Sequence, residues 1–218
     1  MPKKGAPIRE KQSRLGKVSR VARGRPLADK GYRLVFSKTG TNKYQAQTGM
    51  VKLLNNGSVV SEAQAFSGGN GHPAIEDGVY RVHLDIRGDE STNQTQGKAP
   101  NVLLAPFNGI QKLGDNVPDG IGNFYNFQGE WGHMRVRLIP KSGPDKGDYL
   151  HGKLLPKNWT HGCVCDKTET VIQHLWNISG PQYPILNLEV ATATKVKAKP
   201  TARVTPETKT RRGPLRAT

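Results

Sequence analysis

The sequence predicts a mainly-β domain with one helix, set between two basic tails. Three observations lead there. Short runs of β-branched and aromatic residues alternate with Gly- and Asn-bearing turn signals through the middle of the chain. A single stretch places apolar residues at helical spacing behind a capping pattern. Charge is segregated: residues 1–30 hold ten Lys or Arg against two acids, residues 191–218 hold eight against one, and residues 31–190 hold fifteen against fourteen. The net charge of +16 on 218 residues therefore describes the tails, with a nearly neutral domain at 31–190 between them.

Tyr32–Ser37, Tyr44–Leu54 and Val59–Phe66 read as consecutive strands. Lys38-Thr39-Gly40 separates the first two, and Asn56-Gly57 joins the next pair as a hairpin turn, because Asn-Gly tolerates the positive φ such turns need. Gly68-Gly69-Asn70-Gly71 ends the third, and Val79–Ile86 is the fourth. Gly88–Pro100 is a polar loop, Val102–Phe107 a short strand, and Asn108–Gly132 a Gly- and Asn-rich excursion over the surface. Met134–Ile139 alternates Arg135 and Arg137 with Val136 and Leu138, the pattern of a half-buried strand. Tyr149–Leu155 is a further strand. Asp166-Lys167-Thr168-Glu169 is a capping-box pattern with Val171, Ile172, Leu175 and Trp176 behind it, and Gly180-Pro181 stops that helix. Ile185–Val190 closes the domain as a strand. There is no internal repeat.

In the N-terminal arm, Lys11, Arg14, Lys17, Arg20 and Arg23 recur every third residue around Leu15, Val18 and Val21, a spacing that allows a short helix on a partner. Gly5, Pro7, Gly16, Gly24 and Pro26 interrupt it, so a disordered basic arm is expected, as is a disordered basic C-terminal tail. Such tails suit an acidic protein or a nucleic acid, with salt-dependent binding. The neutral middle shows no helix-turn-helix or zinc-finger pattern. No run approaches the ~18 apolar residues of a membrane-spanning helix, and residues 1–30 lack the apolar stretch of a Sec signal.

The chemistry concentrates in Tyr149-Leu150-His151-Gly152 and, shortly after, Thr160-His161-Gly162-Cys163. Cys163 and Cys165 are two residues apart, where a disulfide would be badly strained, so thiol chemistry is the better expectation. A thiol becomes a nucleophile as thiolate, and an imidazole or a helix N-terminus lowers its pKa. Both are expected near Cys163: His151 on a preceding strand, and the helix signalled by Asp166. Gly162 leaves space for backbone N–H groups to face a developing oxyanion. His161 competes with His151 for the role of base. His151, His161, Cys163 and Cys165 could in principle surround Zn²⁺, but Cys-x-Cys is not a common zinc spacing; no metal or cofactor is expected. Trp159 could line a cleft or simply pack, and His72, His83, His133 and His174 read as surface or packed residues.

At these residues the chain resembles the L,D-transpeptidase (YkuD-like) catalytic domain, whose signature is His-Gly followed by Ser/Thr-His-Gly-Cys: here His151-Gly152 and Thr160-His161-Gly162-Cys163. The short interval between the two halves looks closest to the compact branch of secreted antibacterial effectors of this type. Ala65-Phe66-Ser67-Gly68 with Glu76-Asp77-Gly78-Val79-Tyr80 is similar to the family's upstream Ser-Gly … Pro-x-Gly-x-Tyr segment. The resemblance implies a β-sandwich or barrel with one helix after the catalytic cysteine. It implies Cys163 as acyl-forming nucleophile, His151 as general base oriented by a backbone carbonyl near Gly152, and a pocket and oxyanion site shaped by Thr160, His161 and Gly162. Cys165 stands where the family usually has a substrate-holding Arg; Arg135 or Arg137 could replace it.

The function so implied is a peptidoglycan-acting cysteine enzyme of L,D-transpeptidase or L,D-carboxypeptidase type, its substrate the stem peptides, acting at the cell wall or periplasm. Without a Sec signal, delivery by a phage particle or a secretion apparatus is expected. The alternative is a non-catalytic virion or nucleic-acid-associated structural protein working through its basic tails.

Overall fold

In a computed structural model, which describes residues 31–119, 121–182 and 185–193, the chain forms β1 (Tyr32–Thr41), β2 (Gln47–Asn55), β3 (Ser58–Ser67), β4 (Gly78–His83), β5 (Arg87–Gly88), β6 (Thr95–Gln96), β7 (Leu103–Leu104), β8 (Ile110–Lys112), β9 (Val117–Pro118), β10 (Phe124–Tyr125), the single turn α1 (Gln128–Trp131), β11 (Met134–Arg137), β12 (Ile139–Pro140), β13 (Tyr149–His151), β14 (Val164–Asp166), α2 (Thr170–Asn177) and β15 (Ile185–Thr192). Eleven of these strands share one sheet in the order β12-β4-β15-β1-β2-β3-β14-β13-β11-β8-β5. Only Leu138 separates β11 from β12, so the sheet turns back on itself and approaches a barrel. The fold is mainly β with one substantial helix after Cys163, the class the sequence predicts. The expectations for residues 1–30 and 194–218 lie outside the described residues, and β15 runs two residues past the expected boundary at 190.

The three-strand meander forms where the turn chemistry asks for it. Asn56 and Gly57 both have positive φ and join β2 to β3. β1 is flanked by β2 antiparallel and β15 parallel. Alternate residues of these strands (Leu34, Phe36, Val51, Leu53, Leu186, Leu188) enter the core, and α2 covers it with Val171, Ile172 and Leu175.

The helix starts differently from the expected capping box. Asp166 Oδ2 accepts from the N–H groups of Val171 (2.7 Å) and Ile172 (3.1 Å). Glu169 does not reach back in exchange: it sits at φ 57° and sends its carboxylate to the His133 N–H and Nδ1. The cap is therefore one-sided.

Other local expectations shift as well. β13 stops at His151, short of the expected Leu155, and β14, which no sequence pattern anticipates, pairs parallel with β13 and antiparallel with β3. The excursion 108–132 holds β8 against β11, and its Leu113 and Val117 form a small core with Leu104 of β7 under Phe127 and Trp131. β11 is not half-buried. All four of its residues are buried, because the loops and Tyr149 cover the face that carries Arg135 and Arg137.

Candidate active site

The central strands of this region have two different faces. Ile110, Val136, Leu150 and Val164 point into the core. The residues between them, Gln111, Arg135, Arg137, Tyr149 and His151, form the opposite face, because side chains alternate along a strand. The register places Leu150 beside Val164 and His151 beside Cys165, which brings Cys163 alongside Tyr149. The Tyr149 N–H donates to Cys163 Sγ at 3.4 Å.

His151 and Cys163 line the same cleft, about 450 Å³ in volume. The His151 Nδ1–H donates to the carbonyl of Gly152, a contact that assigns the proton to Nδ1 and leaves Nε2 as the acceptor. Burial holds the His151 pKa down to about 4 and pushes the Cys163 thiol up to about 12. The resting pair is thus neutral imidazole and neutral thiol. No hydrogen bond joins Sγ to either His151 or His161; among the described residues Sγ accepts from the Tyr149 N–H. The expected thiolate support from the helix N-terminus does not arise, since Asp166 occupies the first N–H groups of α2. His151 is buried, at 4% exposure.

Gly152 is held by packing as well as by its carbonyl. A Cβ there would lie 1.8 Å from Glu169 Oε1, so only glycine lets the carboxylate of Glu169 lie against the backbone that orients His151. Glu169, expected to complete the helix cap, instead fastens His133 over this spot.

The loop before the cysteine is tied by side-chain and backbone bonds to the end of β3. Thr160 Oγ donates to the Cys163 carbonyl (2.7 Å) and accepts from the N–H groups of Gly68 (3.0 Å) and Gly162 (3.3 Å), while the Thr160 N–H donates to the Gly68 carbonyl. Ser67 Oγ accepts from the Ile75 N–H and donates to the Gly162 carbonyl, both at 2.8 Å. The Ser67-Gly68 segment quoted upstream is therefore the brace of the Thr160–Cys163 loop. Gly162 has φ +129°, and a Cβ on it would sit 2.8 Å from Asp148 Oδ1, so both backbone and space call for glycine.

His161 is exposed at the rim, edge-on to His72 (4.1 Å between centroids) and to Trp159 (5.3 Å), with His72 stacked on Trp159. Its pKa is lowered, first by partial burial and then by His72. Cys165 does not line the cleft and is buried in a small core with Ala46 and Phe66, against which Trp159 packs. Arg135 is buried in the wall, donating to Gln111 Oε1 (3.0 Å) and the Ala105 carbonyl (2.7 Å), and burial lowers its pKa to about 10. Arg137 pairs with Asp145 at 2.8 Å. Neither arginine lines the cleft.

Several cleft residues escaped the sequence reading. Trp131 packs on His151 at 4.9 Å between centroids, and the buried Lys153 ammonium pairs with Glu130 and donates to the Trp159 carbonyl. Glu130 and Trp131 lie in the Gly- and Asn-rich excursion and Lys153 in the segment expected as a strand, and neither setting carries a local signal of a cleft. Among the described residues no group of three His, Cys, Asp or Glu side chains could hold a metal ion.

No protein-family model matches the chain, and no curated protein matches it. Among solved structures, the chain is similar to the crystal structure of the L,D-transpeptidase (residues 123-326) from Xylanimonas cellulosilytica DSM 15894, with 14% identity and a TM-score of 0.34. The similarity covers 73% of this chain and 60% of that one. At those values the chemistry has to be read from the side chains themselves.

Proposed function

We propose that this chain is a cysteine acyl-transfer enzyme acting on peptidoglycan stem peptides, of L,D-transpeptidase or L,D-carboxypeptidase type. One observation carries the reading: His151, at the end of β13, and Cys163, just before the parallel β14, line one cleft, and the His151 Nδ1–H is fixed on the Gly152 carbonyl, leaving Nε2 to accept a proton.

With both groups neutral at rest, proton transfer accompanies attack. Cys163 Sγ adds to the scissile carbonyl carbon as its proton passes to His151 Nε2. The oxyanion would be met by the Cys163 N–H, because the Gly162 N–H is engaged by Thr160. The C–N bond breaks, His151 returns the proton to the leaving amine, and a thioester on Cys163 remains. Water or an amine then attacks that thioester, with His151 taking and returning a proton again. Thr160, Gly162 and Gly152 serve by shape, holding nucleophile loop and base in register; His161 serves at the rim. Burial within a cleft walled by Trp131 and Lys153 excludes water and strengthens each polar interaction. Action at the cell wall follows from the substrate, and delivery by a phage particle or secretion apparatus is proposed from the charge of the basic arms.

The test is digestion of purified muropeptides followed by mass spectrometry. Wild type is expected to remove or exchange a terminal residue or form a cross-link, and Cys163→Ala to do none of these. Unchanged muropeptides with wild type, or equal turnover by Cys163→Ala, would overturn the proposal.

A further inference from the structure

Two cavities meet beside the Cys163 loop, at Lys146, Asp148 and His161. The cleft described above lies on one side, and a second cavity of about 310 Å³ lies on the other, bounded by the 73–80 and 140–146 segments. Asp148, His161 and Lys146 line both. Asp148 immediately precedes Tyr149, whose N–H binds Cys163 Sγ, and its Oδ1 lies against Gly162.

The acids of the two cavities differ in one respect. Glu130 is paired with Lys153, Glu76 with Lys146, and Asp77 with Lys38. Asp148 forms no ion pair among the described residues, and its nearest charges of opposite sign, Arg137 and Lys146, are already paired with Asp145 and Glu76. A half-buried carboxylate has given up part of its hydration, and a cation arriving beside it recovers that loss. Burial accordingly raises the Asp148 pKa. The other carboxylates hold structure; this one lines both cavities without a partner among the described residues.

We propose that Asp148 is a specificity residue that binds the primary ammonium of an acceptor and so directs the Cys163 thioester toward aminolysis over hydrolysis. The inference rests on the acyl-enzyme reading above. The ammonium held by Asp148 loses one proton to solvent. The neutral nitrogen then attacks the thioester carbonyl, forming C–N as C–S breaks. Its second proton passes through His151 to the departing Cys163 thiolate, which regenerates the thiol. Thioester and ammonium yield amide, thiol and one released proton.

The experiment uses the full chain, a disaccharide-tetrapeptide muropeptide as donor, and glycinamide as a primary ammonium without a carboxylate. Glycolamide, which replaces the ammonium by a hydroxyl, is the neutral comparison. Intact-mass analysis detects the thioester, and chromatography gives the ratio of glycinamide adduct to hydrolysed product. Asp148→Asn is expected to lower that ratio at least about tenfold, the scale of one charge-assisted contact. Asp148→Glu, which keeps the charge, is expected to keep most of it. A ratio unchanged in Asp148→Asn overturns the proposal. If wild type forms no thioester, the acyl-enzyme reading fails, and Asp148 is judged separately. Glycinamide, and not glycolamide, should slow iodoacetamide labelling of Cys163 in wild type and lose that effect in Asp148→Asn; equal labelling in both proteins overturns the ammonium site.

Discussion

The two faces of β11, β13 and β14 are built from adjacent residues and do opposite things. One face, with Val136, Leu150 and Val164, is apolar, fully buried and sealed by α2. The other, with Arg135, Tyr149 and His151, is equally buried yet polar, and is sealed by loops and by Trp131. On the first face burial lowers free energy directly. On the second it costs desolvation, which hydrogen bonds offset: Arg135 to Gln111 and Ala105, His151 to Gly152. The difference teaches that this fold keeps its apolar core and its polar candidate site one residue apart on the same strands.

The sharpest way to separate the faces is His151→Ala. It should reduce turnover about 10²–10⁴-fold, the contribution of a positioned proton acceptor. Because His151 is buried, the variant should also melt lower, unlike a change at the exposed His161; both are read from muropeptide turnover and thermal unfolding. Full turnover in His151→Ala would remove the base from this face.

On the apolar face, Leu150→Ala should cost about 2–5 kcal/mol of stability, since its neighbours cannot fill the space. Turnover per folded molecule should stay within a few fold. Denaturant unfolding and an activity titration check both halves. A large loss of turnover at full folding would mean that the two faces are not separable.

The smallest expected effect is on pH dependence. His151 titrates near 6.5 in the unfolded chain and at about 4 in the folded one, so between those values the unfolded state holds the extra proton. Its contribution to stability is complete above pH 6.5 and is lost as pH falls toward 4, a change on the order of 3 kcal/mol. His151→Gln should flatten the difference from wild type in that window, measured by denaturant unfolding at several pH values. An identical slope in the two proteins would show that His151 is not shielded as described.

Much of this architecture was legible locally. Asn56-Gly57 announced the hairpin because its positive φ is a property of those two residues. Val171, Ile172 and Leu175 announced the helix by their spacing, and Thr160-His161-Gly162-Cys163 marked the candidate nucleophile loop by residue type alone. Short strands were harder. β14 has three residues, too few for a period to show, and exists because β3 and β13 offer it hydrogen-bonding partners on both sides.

The sequence by itself determined the β class, the one substantial helix and the hairpin turn at Asn56-Gly57, because each depends on residues within a few positions of one another, and it supplied the candidate thiol and imidazole by residue type. Tertiary structure alone decided that Arg135 is buried, that Asp166 rather than Cys163 receives the helix N-terminus, and that Glu169 braces Gly152. It also decided that burial drives the pKa values of Cys163 and His151 apart from an ion pair. Solvation and hydrogen-bond partnership are set by what distant segments bring to a site, and no local pattern encodes that arrival.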